Sequence, residues 1–244
     1  MKSTFATQEG APATPDNEFS FATQAATEFR ALILQADFPC LGAKSALHGD
    51  SFNLRCFSEL GGRQATRELA AALLEFTRSQ EAAPSQYATF VAIFQGPRDL
   101  TEIDFERLLW QQLRELHDHD VRAFEWDPAV SADPVDPHFS FSFGGHALYV
   151  IGLHANSSRK ARQFPWPVLV FNPHEQFEQL RAGGKWRRMQ ESIRQRDLAL
   201  QGSTNPMLSD FGERSEARQY SGRAVGENWR APFPASAGKC PFHH

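Results

Sequence analysis

The segment 138–153, HFSFSFGGHALYVIGL, restricts the possible folds of this chain more than any other stretch. Its first half alternates between apolar and polar residues, its second half is almost continuously apolar, and Gly144-Gly145 lies between the two. Alternation is typical of a half-buried strand, and a glycine pair between two such segments is typical of a hairpin turn. The sequence therefore predicts an antiparallel hairpin in the middle of the chain.

Helical and strand-like patterns lie on both sides of this hairpin. Apolar spacing predicts helices over 25–36, 41–48, 64–79, 101–117, 173–182 and 185–200. Further strands are expected at 52–57, 87–95 and 168–171. Mixed elements around a hairpin favour an α+β fold, a single domain whose mixed or antiparallel sheet is flanked by helices. A doubly wound parallel sheet is the less favoured alternative, because a hairpin joins its strands antiparallel.

The two ends of the chain differ from its middle. Residues 1–23 are polar and lack the apolar core of a signal peptide, so we expect a flexible N-terminal arm and a cytoplasmic protein. From about Gln201 onward Gly, Ser, Pro and Asn dominate, which predicts a long irregular C-terminal segment. We accordingly place the domain at 24–230 and a tail at 231–244.

Composition narrows the functional classes. With 244 residues, of which 41% are hydrophobic, the chain is long enough to bury a core and a small-molecule pocket. Its net charge of −4 gives no reason to expect nucleic acid or an anionic membrane as partner. The longest apolar runs are too short to span a bilayer. Three cysteines without paired spacing indicate free thiols in a reducing compartment.

Three stretches together carry a family resemblance. They are FPCLGAKSAL at 38–47, the long block from FGGHALYVIGLHANSSRKARQFPWPVLVFNPHEQF to LRAGGKW at 143–186, and IRQRDLALQGSTNPMLSDFGERSEARQYSGR at 193–223 with KCPF at 239–242. They resemble the YqcI/YcgG family of bacterial proteins over nearly the whole chain after residue 25. The members of that family with a known role resemble haem-dependent N-hydroxylases of guanidino compounds, including L-arginine hydroxylases.

This resemblance implies an oxygenase that binds haem b and hydroxylates a nitrogen of a guanidino compound or a related amine. It supports haem more strongly than any single substrate. The sequence leaves open the catalytic residues, the oxidant (peroxide, or oxygen with a separate electron donor) and the oligomeric state, a homodimer included.

The segment 38–50, FPCLGAKSALHGD, offers two ligands for a haem iron. Cys40 begins the predicted helix 41–48, where amide donors and the helix dipole would lower the thiol pKa and favour a thiolate. His48 ends the same helix. Eight helical residues advance about 12 Å and rotate about 80°, so the two side chains cannot bind one iron. We choose His48 as axial ligand, with His154 and Cys40 as alternatives; packing at a turn and a solvated helix-end histidine are the simpler readings of Cys40 and His48.

A second cluster follows the predicted strand that His154 ends. It consists of His154, Ser157, Ser158, Arg159 and Arg162. Its hydroxyl and guanidinium groups suit haem propionates or a substrate carboxylate, since the arginine fork matches carboxylate geometry. A buried structural histidine beside a basic surface is the alternative. His174, in FNPHEQF, is a candidate cofactor contact, although helix capping is favoured for it.

The polar segment 205–223 predicts a lid over a pocket, because it carries aromatic residues without core periodicity. Its candidate partners for a cationic substrate are Asp210, Glu213, Glu216 and Tyr220. KCPF resembles a Cys-Pro motif of regulatory haem binding, which makes Cys240 a minor ligand candidate.

Other functions remain open from the sequence. A haem sensor or carrier would bind haem without turnover. A mononuclear non-haem iron oxygenase would need two histidines and a carboxylate, and the chain lacks a compact His-x-Asp/Glu motif with an obvious distal histidine. A cofactor-free fold that binds a small acid is the last alternative.

Overall fold

A five-stranded mixed sheet forms the centre of the computed structural model, which describes residues 15–49 and 51–233. The strands are β1 (Phe52–Glu59), β2 (Thr89–Gly96), β3 (Phe141–Phe143), β4 (His146–Leu153) and β5 (Val168–Pro173). Their order is β1-β2-β5-β4-β3. The β1–β2 pair is parallel and the other pairs are antiparallel, which confirms the α+β prediction.

Seven α-helices surround the sheet in the described part of the chain. They are α1 (Pro15–Leu34), α2 (Leu41–His48), α3 (Arg63–Ala82), α4 (Glu102–Asp120), α5 (His174–Ala182), α6 (Trp186–Gln201) and α7 (Ala217–Tyr220). A short 3-10 turn covers Lys160–Arg162. Of these helices, none has the length and apolar character needed to cross a membrane.

The predicted hairpin is confirmed as β3 and β4. Phe141 pairs with Leu148 and Phe143 with His146, so the turn consists of the two glycines between them. Gly144 and Gly145 have φ angles of 63° and 78°. Two successive residues with positive φ form the primed turn whose twist matches that of the strands, and glycine adopts this conformation without steric cost.

Alternation along the central strand β2 separates two apolar layers. Phe90 and Phe94 pack into the layer on the side of α3 and α4, whereas Val91 and Ile93 pack into the layer that contains α1 residues such as Phe29. Successive strand residues point to opposite faces, so a run that is buried on both faces is apolar throughout. The sheet is therefore covered on both sides.

The ends of the domain differ from the predicted limits. Helix α1 begins at Pro15, so residues 15–23, which the sequence assigns to the arm, are helical. Phe233, assigned to the tail, is 7% exposed, and its ring centroid lies 6.0 Å from that of Trp110. The irregular C-terminal segment is confirmed apart from α7. Residues 234–244, with Cys240, lie outside the described residues.

Candidate functional site

A cavity of about 310 Å³ lies between the α1 side of the sheet, helices α5 and α6, and the C-terminal segment. Small-molecule sites commonly have volumes of roughly 300–1,000 Å³. One part of its wall is apolar and includes Phe29, Ile33 and Val91. Polar side chains from β5, α5 and the segment 205–219 form another part. A mainly apolar cavity with a few convergent polar groups is the usual form of a ligand site.

His174, the first residue of α5, lines this cavity and is 6% exposed. Its Nε2 lies 3.4 Å from Oε1 of Glu178, while its Nδ1 has no hydrogen-bond partner among the described residues. Burial lowers the pKa of the imidazole, so the ring is neutral near pH 7. A neutral imidazole with one nitrogen beside a carboxylate and the other unpartnered is suited to bind a metal. The capping role favoured by the sequence is wrong, since His174 makes no capping hydrogen bond.

Glu216 contributes a buried carboxyl group to the same wall. Its Oε1 accepts a 2.7 Å hydrogen bond from the Tyr220 hydroxyl, which in turn accepts one from the backbone amide of Phe141. No lysine or arginine in the described chain forms an ion pair with Glu216, and its Oε2 lies 3.9 Å from Nδ1 of His174. Burial raises the pKa of Glu216 to about 8. Tyr220 does not line the cavity; it holds Glu216 in place.

The two arginines predicted to bind an anion differ in their surroundings. Arg159 is held by Asp197 at 2.5 Å and by the carbonyl and hydroxyl of Ser203 at 2.8 and 3.1 Å. Arg162 lines the cavity and forms no ion pair with any described carboxylate. Burial lowers its pKa. Both arginines line the cavity, but Arg159 is already paired with Asp197, whereas Arg162 has no carboxylate partner among the described residues.

Cys40 is the N-cap of α2, at the start of the predicted helix 41–48, and its Sγ accepts a hydrogen bond from the Ala43 amide at 3.4 Å. The thiol also lines the cavity. Burial nevertheless raises its pKa, because loss of hydration outweighs the backbone hydrogen bonds that lower it. The prediction of a low thiol pKa is therefore wrong, although the local helix geometry behind it is confirmed.

The other two iron-ligand candidates lie outside the cavity. His48 is exposed, and its Nδ1 lies 2.7 Å from the Lys44 carbonyl oxygen. His154 is buried, and its ring stacks on Phe105 with centroids 4.4 Å apart. Neither histidine lines the cavity, whereas Leu153 does. Leu153 and His154 are successive residues at the end of β4 and pack on opposite sides of the sheet.

Of the remaining predicted residues, one lines the cavity and the others make contacts outside it. Ser157 accepts a hydrogen bond from the Arg159 amide, and Ser158 donates one of 2.7 Å to Glu102 on α4, so both organise a loop. Asp210 lines the cavity. Glu213 is exposed, and it accepts a hydrogen bond from the Asp210 amide.

Several polar residues of the cavity were not predicted from the sequence. They are Tyr149, Asn172, Gln176, Ser209 and Gln219. Gln176 Oε1 and Ser209 Oγ have no hydrogen-bond partner among the described residues, and the Tyr149 hydroxyl donates to Gln219 at 2.8 Å. Tyr149 shares its alternation along β4 with Ile151 and Leu153, which could have indicated it; the others lack a sequence signal. The described residues hold no group of three or more His, Cys, Asp and Glu that could bind a metal ion.

Comparison with known proteins identifies relatives over most of this chain. A family model described as the YqcI/YcgG family matches residues 29–234. The chain is 27% identical over 216 residues to the uncharacterized protein YcgG of Bacillus subtilis (strain 168), covering 85% of this chain and 81% of the relative. It is 30% identical over 193 residues to the uncharacterized protein YqcI of the same organism, covering 75% and 74%. No solved structure matches the chain.

Proposed function

The chain belongs to the YqcI/YcgG family, and from this premise and the cavity geometry we propose that it is a haem-dependent oxygenase. Its reaction is the hydroxylation of a nitrogen of a guanidino compound or a related amine, with hydrogen peroxide, or oxygen and an external two-electron donor, as the oxidant. The observation that carries the proposal is the buried, unpartnered Nδ1 of His174, a residue that lines an otherwise largely apolar cavity. Haem, when bound, supplies the oxygen activation that protein side chains lack.

Several cavity residues have the chemistry that a haem group would need. His174 would provide an imidazole ligand, with Glu178 as the carboxylate that orients the ring through Nε2. The apolar wall around Phe29 and Ile33 suits the porphyrin faces. Arg162 would contact a carboxylate, and the Cys40 thiol also lines the cavity. The sequence-based preference for His48 is replaced by His174 in this proposal, because His48 is exposed and outside the cavity.

The polar wall supports a substrate rich in hydrogen-bond donors. Glu216, Gln176 Oε1 and Ser209 Oγ are acceptors without a cationic partner in the described chain. A guanidinium group is planar, positively charged and carries donors only. Its approach would favour the ionised form of Glu216, because an opposite charge lowers the pKa of a carboxyl group. Asp210 is a further acceptor on this wall.

Absorption spectroscopy of the protein titrated with haem b tests this proposal. We expect the wild-type protein to develop a Soret band at one equivalent of haem, and His174→Gly to give a different spectrum. Added imidazole should restore the wild-type spectrum to His174→Gly, which separates loss of a ligand from loss of the fold. His48→Ala is the matched control and should match the wild type. No Soret band in the wild type, or an unchanged spectrum in His174→Gly, would refute the proposal.

A further inference from the structure

Arg162 is a cation at the edge of the cavity without an anion. Within the described chain it has no carboxylate partner, whereas Arg159, three residues earlier, is paired with Asp197. Its electrostatic neighbours do not supply the missing charge: Asp197 is engaged by Arg159, and burial raises the pKa of Tyr149, so that phenol stays neutral. A charged group that leaves water without a partner is costly in the folded state. A ligand that brings an anion would offset this cost.

The fold holds the Arg162 side chain in one position. Its Nη1 donates to the carbonyl oxygens of Tyr220 at 3.0 Å and Gly152 at 3.4 Å. Gly222, with a φ of 85°, passes directly over the side chain. A Cβ atom at Gly222 would lie 2.8 Å from Cδ and 3.2 Å from Nη1 of Arg162. Only glycine combines this conformation with so close an approach.

The Nε and Nη2 groups of Arg162 form a fork of N–H donors that the two carbonyl contacts leave unused. Arginine has five N–H donors in one plane, and the two carbonyl contacts use Nη1 alone. Nε and Nη2 make no hydrogen bond to any described residue, and the side chain lines the cavity. Two parallel N–H donors on one edge of a guanidinium match the two oxygens of a carboxylate.

We propose that Arg162 is a preformed, bidentate binding site for a carboxylate group of the ligand that occupies this cavity. The source of that carboxylate is taken from the proposed function, on which this part of the inference rests. It is either a haem propionate or the carboxylate of a guanidino acid. Both present the same carboxylate chemistry to Arg162, and they differ in the molecule that carries it.

The test uses two pairs of probes that differ in the carboxylate alone. The first pair is L-arginine and agmatine, titrated calorimetrically into the haem-free protein. The second pair is haem b and its dimethyl ester, titrated by absorbance. In one of the two pairs, Arg162→Gln should weaken binding of the member with a free carboxylate about 10- to 100-fold. The affinity for the member without a free carboxylate should stay within about twofold of the wild-type value. If the effect occurs with L-arginine and agmatine, Arg162 binds a substrate carboxylate. If it occurs with haem b and its dimethyl ester, Arg162 binds a haem propionate.

Two further variants keep the test decisive. Arg162→Lys retains the positive charge but lacks the planar fork, so it should lose most of the same preference, and it serves if Arg162→Gln fails to fold. Arg122→Gln changes an exposed arginine beyond α4 and should bind all four probes like the wild type. Equal effects of Arg162→Gln on both members of each pair, or binding of none of the four probes by the wild type, would overturn the inference. A carboxylate preference in the first pair without any haem binding would refute the proposed function and leave the inference intact.

Discussion

Replacement of Glu216 by glutamine should remove a large part of the pH dependence of stability. Burial raises the pKa of Glu216 from its ordinary value of 4.5 to about 8. Between these two pH values the folded state holds a proton that the unfolded state has released, so the free energy of unfolding falls as pH rises. The full difference corresponds to roughly 5 kcal/mol, at about 1.36 kcal/mol for each pH unit between the two values.

Glutamine resembles the protonated carboxyl group in shape and keeps an acceptor for the Tyr220 hydroxyl. We therefore expect Glu216→Gln to be close to the wild type in stability near pH 5 and several kcal/mol more stable near pH 9. Urea unfolding followed by circular dichroism across this range measures the difference. Urea is the right denaturant, because guanidinium would itself occupy the proposed cation site.

The difference between the two unfolding curves isolates Glu216 from the other titrating groups. Burial lowers the pKa of His117, His154 and His174, and these histidines reduce stability as pH falls, which is the opposite sign. Glu213→Gln, an exposed change three residues earlier, is the control and should leave the pH dependence as it is. Parallel stability curves for the wild type and Glu216→Gln from acid to alkaline pH would show that burial does not raise the pKa of Glu216, and would refute this prediction.

Gly152→Ala tests the packing of the sheet on α4, and Asp197→Asn tests the buried ion pair that lines the cavity. Gly152→Ala should destabilise the fold by about 1–3 kcal/mol in urea unfolding, because its Cβ would lie 2.6 Å from Cε1 of the buried Phe105. Gly226→Ala, which has open space around the added atom, should stay within about 0.5 kcal/mol of the wild type, and equal costs at both glycines would contradict the packing. Asp197→Asn should cost about 3–5 kcal/mol, because it leaves Arg159 buried without its carboxylate. Wild-type stability for Asp197→Asn would show that the Arg159–Asp197 pair does not stabilise the fold.

The elements of the fold could be predicted from sequence because their patterns are local. The glycine pair of the hairpin depends on a few neighbouring residues, and in the structure Thr101 and Cys40 cap α4 and α2 by hydrogen bonds to amides three residues later. The ends of the domain were harder to predict. Phe233 is buried only because α4 and β3 provide aromatic partners far away in sequence, such as Trp110.

The site could be predicted only in part, for a similar reason. Arg159 and Arg162 look alike in the sequence, and their difference depends on Asp197, which lies 38 residues after Arg159. The pKa of Cys40 follows from burial by distant elements rather than from its helix end. His48 and His174 both lie at helix termini, and only the tertiary structure shows which of them reaches the cavity.

The proposed N-hydroxylation is tested most directly by mass spectrometry of a guanidino compound incubated with the haem-loaded protein. The oxidant is hydrogen peroxide labelled with heavy oxygen, or labelled oxygen with a reductant. L-Arginine and agmatine are suitable substrates, and His174→Gly is the matched control. We expect a product that has gained one labelled oxygen atom on a guanidino nitrogen, formed by the wild type and not by His174→Gly. Unchanged mass for every guanidino compound despite a full Soret band would contradict the claim that this cavity carries out N-hydroxylation.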